Sequence, residues 1–316
     1  MKLVIQIPAW NEEAHLPGSL AALPSVVEGF DEIEVLVVDD GSDDRTAEVA
    51  RTGGAEVVRL PVHRGLAVAF ATGLRHALDR GADVIVNTDA DNQYDASDIP
   101  TLVRPILDGS AQMVIGDRQT STLRHFSASK RLLQKLGSWV VRRLSRTTVR
   151  DAASGFRAIS REAALRIHVF TRFTYTLETI LQAGEAGLKV VSVPVRINPE
   201  STRSSRLFHS DLGYVVRSLA SMARIVTLYN PLKIFLTLGS VPIALGLALL
   251  LRFLWFYLSW QSPAGHIQSL ILAVILIVVG ALVWLAGIIA DLIAVNRRLL
   301  EELTERQRRR SVERQR

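Results

Sequence analysis

Asp89 and Asp91 flank a single alanine, and Gln93 follows two residues later, directly after the apolar run Val84-Ile85-Val86 and the polar pair Asn87-Thr88. An apolar run of that length reads as a buried strand, and side chains at i and i+2 of an extended segment point to the same side. If the extension continues, both carboxylates and Gln93 converge on one point. Oxygen ligands of this kind suit a hard divalent cation, Mg2+ or Mn2+, which completes its shell with substrate phosphates when the protein supplies only one or two carboxylates. The implied ligand is a nucleotide diphosphate compound. On these residues alone, an Asp-rich turn explains the segment equally well.

Two further polar clusters stand at the ends of apolar runs. Pro8-Ala9-Trp10-Asn11-Glu12 follows the run at 3–7, and Asp39-Asp40-Gly41-Ser42 follows the run at 35–38. Apolar runs recur at 56–59, 84–88 and 113–116, with amphipathic stretches near 42–51, 66–80 and 97–107 between them. This alternation predicts an α/β domain with a mostly parallel sheet. In open sheets of that class, ligands bind outside the carboxyl ends of the strands. Polar clusters at three such ends favour one shared site over three unrelated turns.

The 316-residue chain is not uniform in composition. No charged residue occurs between Lys233 and Arg252, and residues 267–290 contain none. Each stretch is long enough to cross a hydrocarbon core of about 30 Å as a helix. The segment between them, residues 259–266, has no Lys or Arg, whereas Lys233 precedes the first span and eight Arg lie from Arg297 to Arg316. The expected protein is therefore multi-pass in the cytoplasmic membrane, with its catalytic domain and both ends in the cytosol. Arg252, about 30 Å of helix from the entry point, is expected to snorkel to the outer headgroups among Trp255, Tyr257 and Trp260. The chain has no cysteine, which excludes disulfides and thiolate metal sites. Residues 1–7 are too short for the apolar part of a signal peptide, and Pro8 and Asn11 interrupt them, so no leader is expected. The net charge of +6 concentrates toward the membrane-proximal part, which favours membrane lipid over nucleic acid as a partner.

From Arg118 to Arg150 there are nine Lys or Arg and no Asp or Glu. Leu132, Leu133, Leu136, Trp139, Val140 and Leu144 recur there at helical spacing, beside Lys130, Arg131, Lys135, Arg142 and Arg143. That pattern reads as a helix on a membrane surface, with a solvated basic face packed on the domain as the alternative. Phe208, Leu212, Val215, Leu219, Met222 and Val226 keep one face of a second stretch that Pro231 ends, either interfacial or packed in a core. The expected layout is a domain at 1–207, an amphipathic juxtamembrane helix at 208–230, a transmembrane hairpin at 231–295 and a basic cytosolic tail at 296–316.

Ile7-Pro8-Ala9-Trp10-Asn11-Glu12-Glu13, then Val37-Val38-Asp39-Asp40-Gly41-Ser42 with Asp44-Arg45-Thr46, then Asp89-Ala90-Asp91-Asn92-Gln93, resembles in order and spacing the family 2 glycosyltransferases with the GT-A fold. Asp151-Ala152-Ala153-Ser154-Gly155-Phe156-Arg157 and Val193-Pro194-Val195 extend the resemblance toward the branch that contains dolichyl-phosphate mannose synthases and other polyprenyl-phosphate glycosyltransferases. It covers roughly the first 210 residues, and the two C-terminal spans are similar to those of membrane-anchored members. The resemblance implies a Rossmann-like, mostly parallel sheet followed by an interfacial amphipathic helix and two transmembrane helices. It implies inverting transfer of a sugar from a nucleotide sugar to undecaprenyl or dolichyl phosphate, with Mg2+ or Mn2+.

Residue by residue, the resemblance places Pro8, Trp10, Glu12, Val38 and Asp40 around the donor's base and ribose. Asp89 and Ala90 fall on the diphosphate segment, with Asp89, Asp91 and Gln93 on the metal and Asp89, Asp91 and Arg118 as the catalytic set. Arg118, Arg131, Ser154 and Arg203 are implied for the acceptor phosphate. Arg suits that task because it grips phosphate through two parallel hydrogen bonds. Asp39 has two readings, a turn hydrogen bond or a ligand contact. Glu178 either meets sugar hydroxyls or pairs with an arginine. Many relatives carry Arg, Gly and then Ser-Lys in a late loop, whereas Glu200-Ser201-Thr202-Arg203-Ser204-Ser205-Arg206-Leu207 lacks the Gly, so Arg203 and Arg206 are assigned by analogy alone. His63 and His76 have no carboxylate or second histidine at ligand spacing and read as ordinary surface or core residues. Two rival readings remain. A processive polysaccharide synthase is disfavoured by the lack of a Gln-x-x-Arg-Trp segment and by only two spans; a non-catalytic nucleotide-sugar-binding scaffold is disfavoured by the intact Asp pair. The sequence leaves the sugar, the prenyl chain and any homo-oligomer open.

Overall fold

The computed structural model describes residues 1–119, 138–139, 141–143, 145, 147–169, 175–198, 223–224, 227, 229–259 and 267–315. The chain divides into two compact units, Met1–Leu219 with Glu301–Arg316, and Ala220–Leu300.

The first unit is built on a seven-stranded sheet. Strands β1 (Lys2–Ala9), β2 (Glu32–Asp39), β3 (Glu56–Arg59), β4 (Val84–Asn87) and β5 (Met113–Asp117) fall on the five apolar runs of the sequence. Helices α1 (Leu16–Ala21), α2 (Thr46–Thr52), α3 (Leu66–Asp79) and α4 (Ile99–Leu107) connect them. β1 runs parallel to β2 and to β4, and β2 parallel to β3. Strands covered on both faces need apolar side chains throughout, and every residue of β1 after Lys2 and all of β4 are buried. On one face Phe70, Leu74 and Ala77 of α3 pack with Val4, Leu36 and Ile85. On the other, Ile99, Leu102 and Val103 of α4 pack with Leu3, Ile5, Val84 and Val86. Each such side chain contributes roughly 1.5–3 kcal/mol relative to exposure, so these two layers hold the strand ends in place.

The sequence patterns do not announce β6 (Arg157–Ser160), α5 (Arg161–Arg166), α6 (Tyr175–Glu185) or β7 (Val190–Pro194). β6 inserts antiparallel between β4 and β5, and β7 pairs parallel with β5, giving the order β3-β2-β1-β4-β6-β5-β7. Residues before an antiparallel strand emerge at the edge where residues after parallel strands emerge. Residues 151–156 therefore join the ends of β1, β2, β4 and β5. The register fixes this, because Asn87 at the end of β4 and Ile115 in β5 both lie opposite Arg157 at the start of β6.

Of the basic helix expected on a membrane surface, Ser138, Trp139, Val141, Arg142, Arg143 and Ser145 are described and helical. Ser138, Val141 and Ser145 are buried, whereas Trp139 is exposed. Among the described residues, Ser138, Val141 and Ser145 face inward and Trp139 faces outward. Arg131, Arg203 and most of the expected juxtamembrane helix lie outside the described residues.

The second unit contains α7 (Pro231–Leu258), while α8 (Ile267–Gln315) starts in it and runs on through the basic tail. Both helices are long and apolar enough to cross a membrane. Pro231 occupies the first turn of α7, where a missing amide costs nothing. The helices approach closely at small residues: a Cβ on Gly280 would stand 2.6 Å from the Gly239 carbonyl oxygen, and one on Gly239 would stand 2.8 Å from that of Gly280. Trp284 Nε1 donates to the Leu236 carbonyl at 3.0 Å across the pair. Their remaining surface exposes Leu238, Val241, Leu245, Ile271, Val278 and Leu285, as lipid-facing helices do.

Candidate active site

The clusters after β1 and β2 are fastened to one another by alternating backbone and side-chain bonds. Asn11 N donates to Ser42 Oγ at 2.9 Å, Asp43 N to Asn11 Oδ1 at 2.9 Å, Glu12 N to Thr46 Oγ1 at 2.9 Å and Arg45 N to Glu13 Oε2 at 3.0 Å. Asn11 takes a left-handed backbone, φ 53°, which Asn tolerates. Pro8 is buried at the end of β1. Val38 is wholly buried, and its side chain packs against α3. Of the two readings left open for Asp39, the turn bond is present: its carboxylate accepts from Ser42 N at 2.9 Å and pairs with Arg59 Nε at 3.2 Å.

The Asp40 carboxylate is 2% exposed and accepts from Arg64 N at 2.8 Å and Gly65 N at 2.7 Å, at the N-terminal end of α3 where negative charge is favoured. The same carboxylate meets His63 Nδ1 at 2.9 Å. The His63 ring in turn stacks on Trp10, with centroids 4.1 Å apart and planes inclined by 26°. Neither partner of His63 is near it in the chain, because Asp40 and Trp10 follow other strands. His76 stays half-buried on α3.

The Asp89–Asp91 segment is arranged differently from the expected extension. β4 ends at Asn87, Ala90 and Asp91 form a turn, and Asn92 takes φ 54°. The two carboxylates are therefore brought together by a turn. Gln93 meets Asp91 through its backbone, donating N–H to Asp91 Oδ1 at 3.1 Å, while its carbonyl accepts from Asn198 N at 3.0 Å. Burial, then the charge of Asp91, pushes the Asp89 carboxyl up to about 7, with Arg118 and Arg157 opposing. A carboxylate pair that resists full ionisation fits a divalent cation, whose charge would relieve that resistance. Among the described residues there is no cluster of three or more His, Cys, Asp or Glu suited to a metal. The protein thus offers a pair of carboxylates, the number that suits an ion completing its shell with a diphosphate.

Behind Asp89 stands a buried polar network that no sequence pattern revealed. Gln6 Nε2 donates to Asn87 Oδ1 at 2.9 Å, and Asn87 Nδ2 donates to the Gly155 carbonyl at 2.8 Å and to Tyr175 Oη at 3.2 Å. Gly155 N donates to Tyr94 Oη at 3.0 Å. Gly155 lies so close to the carboxylate that a Cβ there would stand 2.8 Å from Asp89 Oδ1 and 3.1 Å from Oδ2. Arg118, assigned by the resemblance to the acceptor phosphate, grips Asp151 through Nε at 2.7 Å and Nη2 at 3.1 Å. Ser154 is wholly enclosed beside Tyr94. Arg157 is buried, donating to Thr176 O and Thr179 Oγ1 at 3.2 and 2.6 Å and to the Ser154 carbonyl. Glu178 is buried in the first turn of α6.

The comparisons with known proteins agree with this geometry. Residues 4–167 match the family described as Glycosyl transferase family 2. An undecaprenyl-phosphate mannosyltransferase of Micrococcus luteus is 28% identical over 227 residues, covering 68% of this chain and 91% of that protein. A dolichol-phosphate mannosyltransferase of Pyrococcus furiosus is 28% identical over 287 residues, covering 81% of this chain and 80% of its own. Among solved structures, glucosyl-3-phosphoglycerate synthase from Mycobacterium tuberculosis, in complex with Mn2+, uridine-diphosphate and phosphoglyceric acid, aligns with a TM-score of 0.53 at 24% identity, over 70% of this chain and 78% of that one. The sheet is thus GT-A-like, as the sequence motifs implied.

Proposed function

The chain belongs to glycosyl transferase family 2, and from that premise we propose that it moves a sugar from a nucleotide sugar to a polyprenyl phosphate, with inversion, at the cytosolic face of a membrane. The observation that carries the reading is the Asp89–Asp91 carboxylate pair at the same strand-end edge as the fastened Asn11 and Ser42 loops and the Arg118–Asp151 pair. The names of the polyprenyl-phosphate and dolichol-phosphate relatives support the acceptor class. Helices α7 and α8 support a membrane as the place where a prenyl chain is met.

The roles follow from the chemistry. The bond from the anomeric carbon to the donor's diphosphate breaks, its electron pair leaves with the nucleotide diphosphate, and an acceptor phosphate oxygen forms the new bond to that carbon. That oxygen is already anionic at neutral pH, so positioning and charge management dominate over base catalysis. Asp89 and Asp91 would hold Mg2+ or Mn2+, which when bound neutralises the departing diphosphate. Trp10, Pro8 and Glu12 border the donor nucleotide. Arg118, oriented by Asp151, supplies positive charge beside the carboxylates. Arg131 and Arg203 are assigned to the acceptor phosphate from motif position alone.

Incubating the detergent-solubilised full chain with a nucleotide-sugar panel, undecaprenyl or dolichyl phosphate and Mg2+ should yield a prenyl phosphosugar by mass spectrometry. Asp91→Ala should lower the rate at least about 100-fold with the melting temperature little changed. Wild-type turnover by that variant would remove the metal assignment, and the absence of any prenyl product across the panel would remove the function.

A further inference from the structure

We propose that His63 is a positioning residue for the donor nucleotide: it holds the Trp10 indole flat at the mouth of the site, and the exposed surface of that indole carries the nucleobase. The inference deepens the nucleotide-sugar reading and rests on it.

Trp10 is the first residue beyond β1 and exposes 38% of its surface, although the strand behind it is buried. A large aromatic left partly open beside a polar cleft is placed to receive another flat group. Such a shelf works only if it is held still, and both sides of Trp10 are fastened. On the backbone side, the next residue, Asn11, is tied to Ser42 Oγ through its N–H and to Asp43 N through its side chain. On the ring side, His63 stacks on the indole with centroids 4.1 Å apart and planes inclined by 26°.

His63 is itself anchored. Its Nδ1 meets Asp40 Oδ2 at 2.9 Å, and that buried carboxylate is fixed by the Arg64 and Gly65 amides at the start of α3. A hydrogen bond at one ring nitrogen sets the orientation of an imidazole. The order of support therefore runs from α3 to Asp40, from Asp40 to His63 and from His63 to Trp10. In a nucleotide sugar the flat aromatic group is the base. Stacking on an aromatic face tolerates every base, so the shelf should add affinity for the nucleoside without choosing among bases.

The test uses the full chain with Mn2+ and measures binding of uridine diphosphate, guanosine diphosphate and inorganic pyrophosphate by calorimetry. His63→Ala should weaken both nucleoside diphosphates by a similar factor, about tenfold, and leave pyrophosphate unchanged because it has no base to stack. The donor KM should rise by a comparable factor while kcat changes less than about twofold, and His63→Phe, which keeps a flat ring, should recover most of the loss. Equal weakening of pyrophosphate would reduce His63 to a general support of the loop and overturn the proposal. Tighter nucleotide binding by His63→Ala would overturn it by showing that the imidazole occupies the base's own place. Wild-type nucleotide binding with an indifferent His63→Ala would overturn this inference alone. Wild-type protein that binds neither nucleoside diphosphate would overturn the nucleotide-site reading and the inference with it.

Discussion

Gly155 and Gly280 both sit where a Cβ would come within 3 Å of a neighbour, one in the sheet unit and one in the helix pair. At Gly155 a Cβ would press on the Asp89 carboxylate and stand 3.1 Å from Tyr175 Oη; at Gly280 it would press on the Gly239 carbonyl and on Ile243. In the sheet unit the missing side chain makes room for charge, inside a polar network whose stability is supplied elsewhere by the two apolar layers. In the helix pair it makes room for backbone. Lipid tails are as apolar as leucine, so for a helix pair within a membrane no hydrophobic force would drive the two together, and close van der Waals approach would have to do so. Tight packing at the strand ends therefore governs chemistry, and tight packing between the helices governs assembly.

That contrast can be broken at four places. The largest effect is expected at Gly155→Ala, which should lower kcat about 10- to 100-fold and raise the Mn2+ concentration for half-activity, because the added methyl displaces a carboxylate from its place by a fraction of an ångström. Circular dichroism and the melting temperature should stay close to wild type. A loss of fold instead would mean that the edge carries stability after all.

The second test is pH. In the proposed site ionised Asp89 would hold the cation, and burial pushes its carboxyl up to about 7 without metal, so proton and cation would compete. Mn2+ affinity measured by paramagnetic resonance should fall about tenfold for each pH unit below 7 and level off above about 8. The folded-state value lies above the unfolded one, so in metal-free protein this group favours the folded state at low pH. That contribution is lost as pH rises from about 4 to about 7. A pH-independent Mn2+ affinity would show that the two carboxylates do not act as a pair.

The third test is Gly280→Leu, which should destabilise the helix pair by roughly 1–3 kcal/mol in detergent unfolding while the activity of the folded fraction stays within about twofold. The smallest effect belongs to Trp284→Phe, which removes the bond to the Leu236 carbonyl and should lower unfolding stability by about 0.6 kcal/mol. Strong catalytic defects in either helix variant would erase the contrast.

The legible part of the fold was the part written in local periodicity. Strands β1 to β5 follow apolar runs, and α3 buries Ala67, Phe70, Leu74 and Ala77 at the spacing of a helical face. β6 was illegible because a four-residue strand, Arg-Ala-Ile-Ser, has no period of its own and exists only by pairing with β4 and β5. At the site, the clusters themselves were legible from type and spacing, but their partners were not. Asp40 and His63 are 23 positions apart, and Arg118 and Asp151 are 33 apart, distances that no motif spans. The turn at Ala90 and Asp91 replaced the expected extension because Asn92 adopts a left-handed backbone, a choice a strand pattern does not encode.

The insertion of β6 also sets an order in time. During synthesis β4 and β5 emerge well before the strand that belongs between them, and at about 5–20 residues per second the interval from Arg118 to Ser160 lasts several seconds. Through that interval two strand edges stand open, with the Asp89 carboxylate not yet backed by Gly155 and Arg118 not yet paired with Asp151. Open edges are where a nascent chain pairs wrongly. The arrival of Arg157–Ser160 closes the edges that β4 and β5 turn toward each other and brings Gly155 behind Asp89, and the later arrival of Tyr175 and of β7 completes the support, so the carboxylate site is finished only as the sheet itself is finished.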